Sequence, residues 1–172
     1  GNLTNALTLR NELVKQGAIF QSTGDTETIL QLVARSKRGN TLSRLIDALF
    51  QIEGAYSLVI MTNKKLIGVR DPLGIRPLVI GQLNGKYILA SETCALDIID
   101  ADFVREVENG EIVVITQDGI ESIKPFPPVK ARPCIFEYIY FARPDSVAGG
   151  LSVYECRKSF GRQLANESHI EA

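Results

Sequence analysis

Arg70, Asp71, Gly74 and Arg76 lie within seven residues of the stretch GVRDPLGIRPLVIG, residues 68–81. Two guanidiniums around one carboxylate either lock a loop through charge-assisted hydrogen bonds or form a fork that grips a carboxylate ligand. Pro72 presets φ and Gly74 tolerates a left-handed backbone, so a purely structural corner explains the same residues. Asp25, in STGDTE at 22–27, is the second candidate. At the start of a helix it acts either as a simple cap favoured by the helix dipole or as a carboxylate that binds a substrate ammonium. Cys94, Cys134 and Cys156 are odd in number, widely spaced and without a CxxC pair, which indicates neither a disulfide framework nor a self-contained zinc site. The lone His169 is expected to be exposed.

These residues need elements to hold them. LTNALTLRNELVKQG (3–17) predicts a first helix, with Thr4 or Asn5 as cap and Gly17 as a left-handed stop. A short strand at Ala18–Phe20, a helix from Thr26 to Lys37 with Ile29, Leu30, Leu32 and Val33 on its apolar face, and a helix from Thr41 to Glu53 capped by Thr41 and facing inward through Leu42, Leu45, Ile46, Leu49 and Phe50 should follow. From Gly54 the period changes to that of strands. Ala55–Thr62, Leu66–Arg70, Pro77–Leu83 and Lys86–Ala90 are expected as a four-stranded antiparallel meander, with Asn84-Gly85 as a hairpin turn. A short helix over Ser91–Ile99 precedes strands at Val104–Val107, Glu111–Thr116 and Ile120–Lys124. Four prolines within Lys124–Pro133 place a domain boundary there. An aromatic strand in CIFEYIYFARPDS, a glycine pair and a helix from Ser152 to about Glu167 complete the chain.

The 172 residues are enough for one well-buried domain and part of another. Nineteen basic against twenty acidic residues leave a formal net charge of −1, with no electrostatic footprint for nucleic acid or an anionic membrane. The longest apolar runs fall far short of the ~20 residues that cross a bilayer, so no membrane partner is expected and the cytoplasm is the expected location.

Several stretches, taken together and in this order, resemble the glutamine phosphoribosylpyrophosphate amidotransferases: GNLTNA at 1–6, STGDTE at 22–27, EGAY at 53–56, RDPLGIRPLVIG at 70–81, ASETCALD at 90–97 and EYIYFARPDS at 137–146. Asparagine synthetase shares RDPLGIRPL-like loops but not the continuation EYIYFARPDS. The resemblance implies an α+β fold. Residues 1–128 would be the later part of a glutaminase domain of the N-terminal nucleophile hydrolase type, an αββα sandwich of antiparallel sheets. Residues 129–172 would be a linker and the entry into a phosphoribosyltransferase domain, whose phosphate-binding loop has no match here.

In that family a terminal cysteine thiolate attacks the glutamine amide with its own α-amine as base. Residue 1 is Gly1, which supplies an amine and no nucleophile, so this stretch by itself is expected to be inactive. Gly1 and Asn2 match the last two residues of the family's oxyanion motif, which makes the Gly1 N–H an oxyanion donor and substrate contact. Asp25 matches the carboxylate that binds the glutamine α-ammonium, and Arg70, Asp71, Gly74 and Arg76 remain structural. Tyr140, Arg143 and Asp145 fall on the expected interdomain face, through which ammonia would pass.

No cofactor is expected within this stretch. The whole enzyme would use Mg2+ with phosphoribosyl pyrophosphate and assemble as a homo-oligomer. Some family members carry an iron-sulfur cluster, but four ligands are normally needed, and Cys134 is expected to be a plain buried thiol. A different reading keeps the scaffold as a non-catalytic ligand-binding or interaction module.

Overall fold

The computed structural model describes residues 2–168, which divide into two compact units at the Tyr56/Ser57 junction. Gly1 and His169 lie outside the described residues.

The first unit runs β1 (Asn2–Leu3), α1 (Ala6–Lys15), α2 (Asp25–Arg35), α3 (Thr41–Leu49) and β2 (Gly54–Ala55). Its helices are amphipathic, and Leu13, Ile29, Leu32, Leu45, Ala48 and Leu49 are buried. The apolar stripes are narrower than expected, for Leu30 and Phe50 are exposed. Gly17 ends α1 in the left-handed region as predicted. Asn5 stands at the head of α1 without capping it; its amide instead donates to Gln51 O and accepts from Glu53 N. The cap of α3 is Asn40, whose Oδ1 accepts from Ser43 N, and not Thr41. That helix also stops at Leu49, short of Glu53, because the chain must turn to bring β2 alongside β1. Ala18–Phe20 is not a strand, since Ala18 N returns to Leu13 O and closes the helix end.

The second unit is built on two antiparallel sheets. One has the order β3-β4-β8-β9, from β3 (Ser57–Met61), β4 (Leu66–Arg70), β8 (Ile112–Thr116) and β9 (Gly119–Ile123). The other is β6-β5-β7, from β5 (Val79–Leu83), β6 (Lys86–Ala90) and β7 (Asp102–Glu106). The predicted hairpin forms, with Leu83 opposite Lys86 across Asn84-Gly85. The predicted meander does not. After β4 the chain leaves its sheet, β4 takes β8 as its second neighbour, and β5 pairs with β6 and β7. The cause is burial on two faces: the 71–78 loop carries the chain across to a facing sheet, where Leu78 and Ile80 pack with Val107 and Val113. On the opposite face of the second sheet Val79 packs with Leu96 and Ala101, next to the short helix α4 (Cys94–Asp97).

Residues 124–133 form no helix or strand, as the prolines require. They stay within the second unit, with Arg132 N donating to Leu73 O and Cys134 N to Ile75 O. The expected aromatic strand is instead a π-helical turn, Glu137–Phe141. Its carbonyls are drawn inward by Arg157, whose guanidinium donates to Tyr138 O and Ala142 O, so no strand partner is needed. A hairpin of β10 (Val147–Ala148) and β11 (Leu151–Ser152) leads into α5 (Val153–Glu167), close to the predicted helix.

Candidate functional site

Asp25 is the first helical residue of α2, preceded by Gly24, which offers no side chain to cap the helix. The turn before it is held by Glu27, whose carboxylate accepts from Gln21 N, Ser22 N and Ser22 Oγ at 2.7–2.8 Å. The backbone and hydroxyl donors hold the Glu27 carboxyl below its ordinary range. Asp25 is therefore free of capping duty, and its Oδ2 accepts from Leu3 N at 2.9 Å. Oδ1 accepts no hydrogen bond among the described residues. The partly buried carboxylate thus stands beside β1, directly after Gly1, with the dipole of α2 behind it.

Position 54 holds β1 in place. Asn2 pairs with Ala55 and Leu3 with Gly54, while Thr4 N donates to Glu53 O at 2.8 Å. Gly54 has φ +121°, and a Cβ there would lie 2.4 Å from Asn2 O. Only glycine fits so close to a neighbouring backbone. GNLTNA, STGDTE and EGAY are thereby brought together: one supplies a strand, one the carboxylate against it, and one the clasp that fixes both. A concavity of about 430 Å³ among α1, α2 and α3 is lined by neither Asp25 nor Leu3, so it does not belong to this arrangement.

In the second unit, Arg70 and Asp71 are spent on their own loop. Arg70 is buried, and its guanidinium donates to Arg76 O, Val107 O and Gly74 O and pairs with Glu106. Asp71 is fully buried; its carboxylate accepts from Leu73 N and Ile75 N, and its carbonyl from Gly74 N and Gly110 N. Gly74 has φ +63°, and a Cβ there would strike the Asn109 side chain. Of the two readings open for this loop, the geometry is that of the locked corner. Arg76 does not join Arg70 in a fork. Its Nε forms an ion pair with Glu137 and its guanidinium lies 4.5 Å from the centre of the Phe141 ring.

Tyr140 is exposed and meets Phe141 edge-on at 4.5 Å, with Phe136 5.5 Å from Tyr140. Arg143 and Asp145 are exposed and pair with each other through two contacts of 3.0 and 2.8 Å. Each holds its partner charged: hydrogen bonding to Asp145 raises the Arg143 pKa, and the same bonds lower that of Asp145. The loop bearing them is fastened by Glu92, whose Oε2 accepts from Arg143 N and Ser146 Oγ, and by Thr93, whose hydroxyl accepts from Val147 N. Sequence reasoning treated ASETCALD as a helix start and a mark of the resemblance, and missed this role. It also missed Glu111, fully buried, which accepts from both Arg105 Nη atoms, from Ser122 Oγ and from Glu108 N. Its one sequence signal is a carboxylate at the head of an otherwise apolar strand.

The cysteines are free thiols, Cys94 buried and Cys134 and Cys156 partly so. Among the described residues no three His, Cys, Asp or Glu side chains converge on a metal site, and no helix is long and apolar enough to cross a membrane.

Comparison with known proteins bears on this geometry. Residues 1–97 match the family model described as a glutamine amidotransferase domain. An amidophosphoribosyltransferase of Rhizobium etli is 56% identical over the whole chain, and one of Bacillus subtilis is 42% identical, the matches covering 36% of each relative. The chain thus spans about a third of the length of these curated relatives. The solved glutamine phosphoribosylpyrophosphate amidotransferase of B. subtilis, in a complex with ADP and GMP, superposes on 99% of the chain and 38% of its own with a TM-score of 0.96 at 42% identity. The antiparallel sheets and mixed α and β content are those expected of an N-terminal nucleophile hydrolase glutamine domain. By its sequence, its sheets and the partnership of its three N-terminal motifs, the chain belongs to the glutamine amidotransferase domain family.

Proposed function

We propose that this chain is the glutamine-recognising portion of an amidophosphoribosyltransferase, an enzyme that hydrolyses glutamine and delivers the ammonia to phosphoribosyl pyrophosphate, forming 5-phosphoribosylamine. The observation that carries the reading is the Asp25 carboxylate set against the backbone of β1. A free α-ammonium has three donors and a full charge, and a partly buried carboxylate oxygen with no hydrogen-bond partner among the described residues is its natural acceptor. Gly1 lies one residue before the strand and is assigned to the oxyanion donors. Residues 1–128 are assigned to the glutaminase and 129–172 to the approach to the phosphoribosyltransferase, with Tyr140, Arg143 and Asp145 on the face between them. Mg2+ belongs to the phosphoribosyl pyrophosphate half of the reaction, and the cytoplasm is the proposed location.

The test is an assay of the full-length protein with phosphoribosyl pyrophosphate, Mg2+ and either glutamine or ammonium salt. Release of pyrophosphate with both nitrogen donors, and of glutamate with the first, is expected. Glutamine turnover without any pyrophosphate release would overturn the assignment of the acceptor.

A further inference from the structure

Asn5 stands where a helix cap belongs, yet its side chain makes no bond to α1. Capping asparagines stabilise a helix start, so an amide turned away from that duty is held by other partners. Its Nδ2 donates to Gln51 O and its Oδ1 accepts from Glu53 N, both at 2.9 Å and 46 and 48 positions along the chain. Making both bonds takes a short side chain that carries a donor and an acceptor on one carbon. Residues 51–53, which join α3 to β2, form no helix or strand of their own and are anchored by the buried Ile52 and by this amide.

The grip reaches the candidate site through an unbroken series of contacts. Thr4 N donates to Glu53 O at 2.8 Å, and Leu3 pairs with Gly54 directly after it. Leu3 is buried, and its N–H is the donor on Asp25 Oδ2. We propose that Asn5 is a positioning residue for glutamine: its amide fixes the exit of β1 against the entry of β2, so that Leu3 N holds the Asp25 carboxylate in the orientation that meets the α-ammonium. The assignment rests on the function proposed above and includes no contact between Asn5 and the substrate. A binding group displaced by about 1 Å can lose about 100-fold. Loss of the clasp leaves the β1–β2 pairing in place, so the effect at this position is smaller.

The experiment compares the full-length protein with Asn5→Ala, which removes both bonds, and Asn5→Asp, which keeps the acceptor for Glu53 N and turns a second carboxylate oxygen towards Gln51 O. In each variant kcat/KM for glutamine should fall about tenfold, chiefly through KM, with ammonium-dependent synthesis kept. The preference for glutamine over its analogue without the α-amino group should shrink by the same factor. In an Asp25→Asn background Asn5→Ala should add almost nothing. Hydrogen exchange, read by mass spectrometry on the peptide covering residues 1–6, should speed up in Asn5→Ala as the Leu3 and Thr4 amides lose protection. Unchanged glutamine kinetics, equal losses with glutamine and ammonium, full additivity with Asp25→Asn, or unchanged exchange would each overturn the positioning role. Wild-type protein that hydrolyses no glutamine would contradict the proposed function instead, while the exchange measurement would still decide whether Asn5 clasps β1.

Discussion

Asp25 and Leu3, 22 positions apart, are joined by a 2.9 Å hydrogen bond from a backbone N–H to a carboxylate. That bond uses Oδ2, keeps the side chain out of its own helix and fixes its second oxygen beside the strand that follows Gly1. Under the proposed function, the position of β1 matters as much to glutamine recognition as the carboxylate itself.

Gly54 is where that position is most easily disturbed. A Cβ 2.4 Å from Asn2 O, on a backbone at φ +121°, cannot be relieved by a side-chain rotation because the obstacle is main chain. Gly54→Ala should cost about 1–3 kcal/mol in thermal or denaturant unfolding. It should also raise the KM for glutamine while sparing ammonium-dependent synthesis. Unchanged stability and KM would mean that β1 is not held as described.

Glu111 gives a pH signature. Burial alone would raise its pKa, but hydrogen bonds from Arg105, Ser122 and Glu108 N outweigh that and leave it below the ordinary range. The folded protein therefore binds fewer protons than the unfolded chain between the two values, and stability rises with pH across that window. Its contribution is complete above the ordinary glutamate pKa of about 4.3 and is lost as pH falls through the depressed value. Glu111→Gln should cost about 2 kcal/mol at neutral pH, moderated because Arg105 can turn to solvent, and the gap to wild type should narrow in acid. A gap that widens below pH ~4 would contradict this assignment.

Arg70 separates a locked corner from a ligand-gripping fork. Its removal leaves three carbonyls and Glu106 without their donor. Arg70→Met should lower the unfolding free energy by about 3 kcal/mol. Arg70→Lys should recover only part of that, since a point charge cannot reproduce the fork. Intact stability with a large rise in glutamine KM would instead favour the fork.

Much of this was legible in the sequence, and the divide follows distance along the chain. The Asn84-Gly85 hairpin, Gly17 and the turn at Asp71 to Gly74 depend on neighbours, and local turn chemistry gives them away; the guanidinium of Arg70 reaches Glu106 and Val107, 36 and 37 residues on. The pairing of β4 with β8 does not, because nothing in Leu66–Arg70 distinguishes a partner one turn away from one across the fold. Phe136, Tyr138 and Tyr140 alternate like a strand; the turn they form depends on Arg157, 19 residues beyond Tyr138. Asp25 was legible only as one of two options. Its local context favoured a cap, and the resemblance, not the helix pattern, pointed to the ammonium role proposed above. Glu92 was missed because its partner Ser146 lies 54 residues away.

The most direct test of the central claim is discrimination for the α-ammonium group. Wild-type full-length protein and Asp25→Asn should be compared for hydrolysis of glutamine and of its analogue without the α-amino group. Loss of a charge-assisted contact should weaken glutamine kcat/KM by about 10- to 150-fold and leave the already poor analogue nearly unaffected, so that the preference collapses. A variant that still prefers glutamine by the wild-type ratio would show that Asp25 does not hold the ammonium.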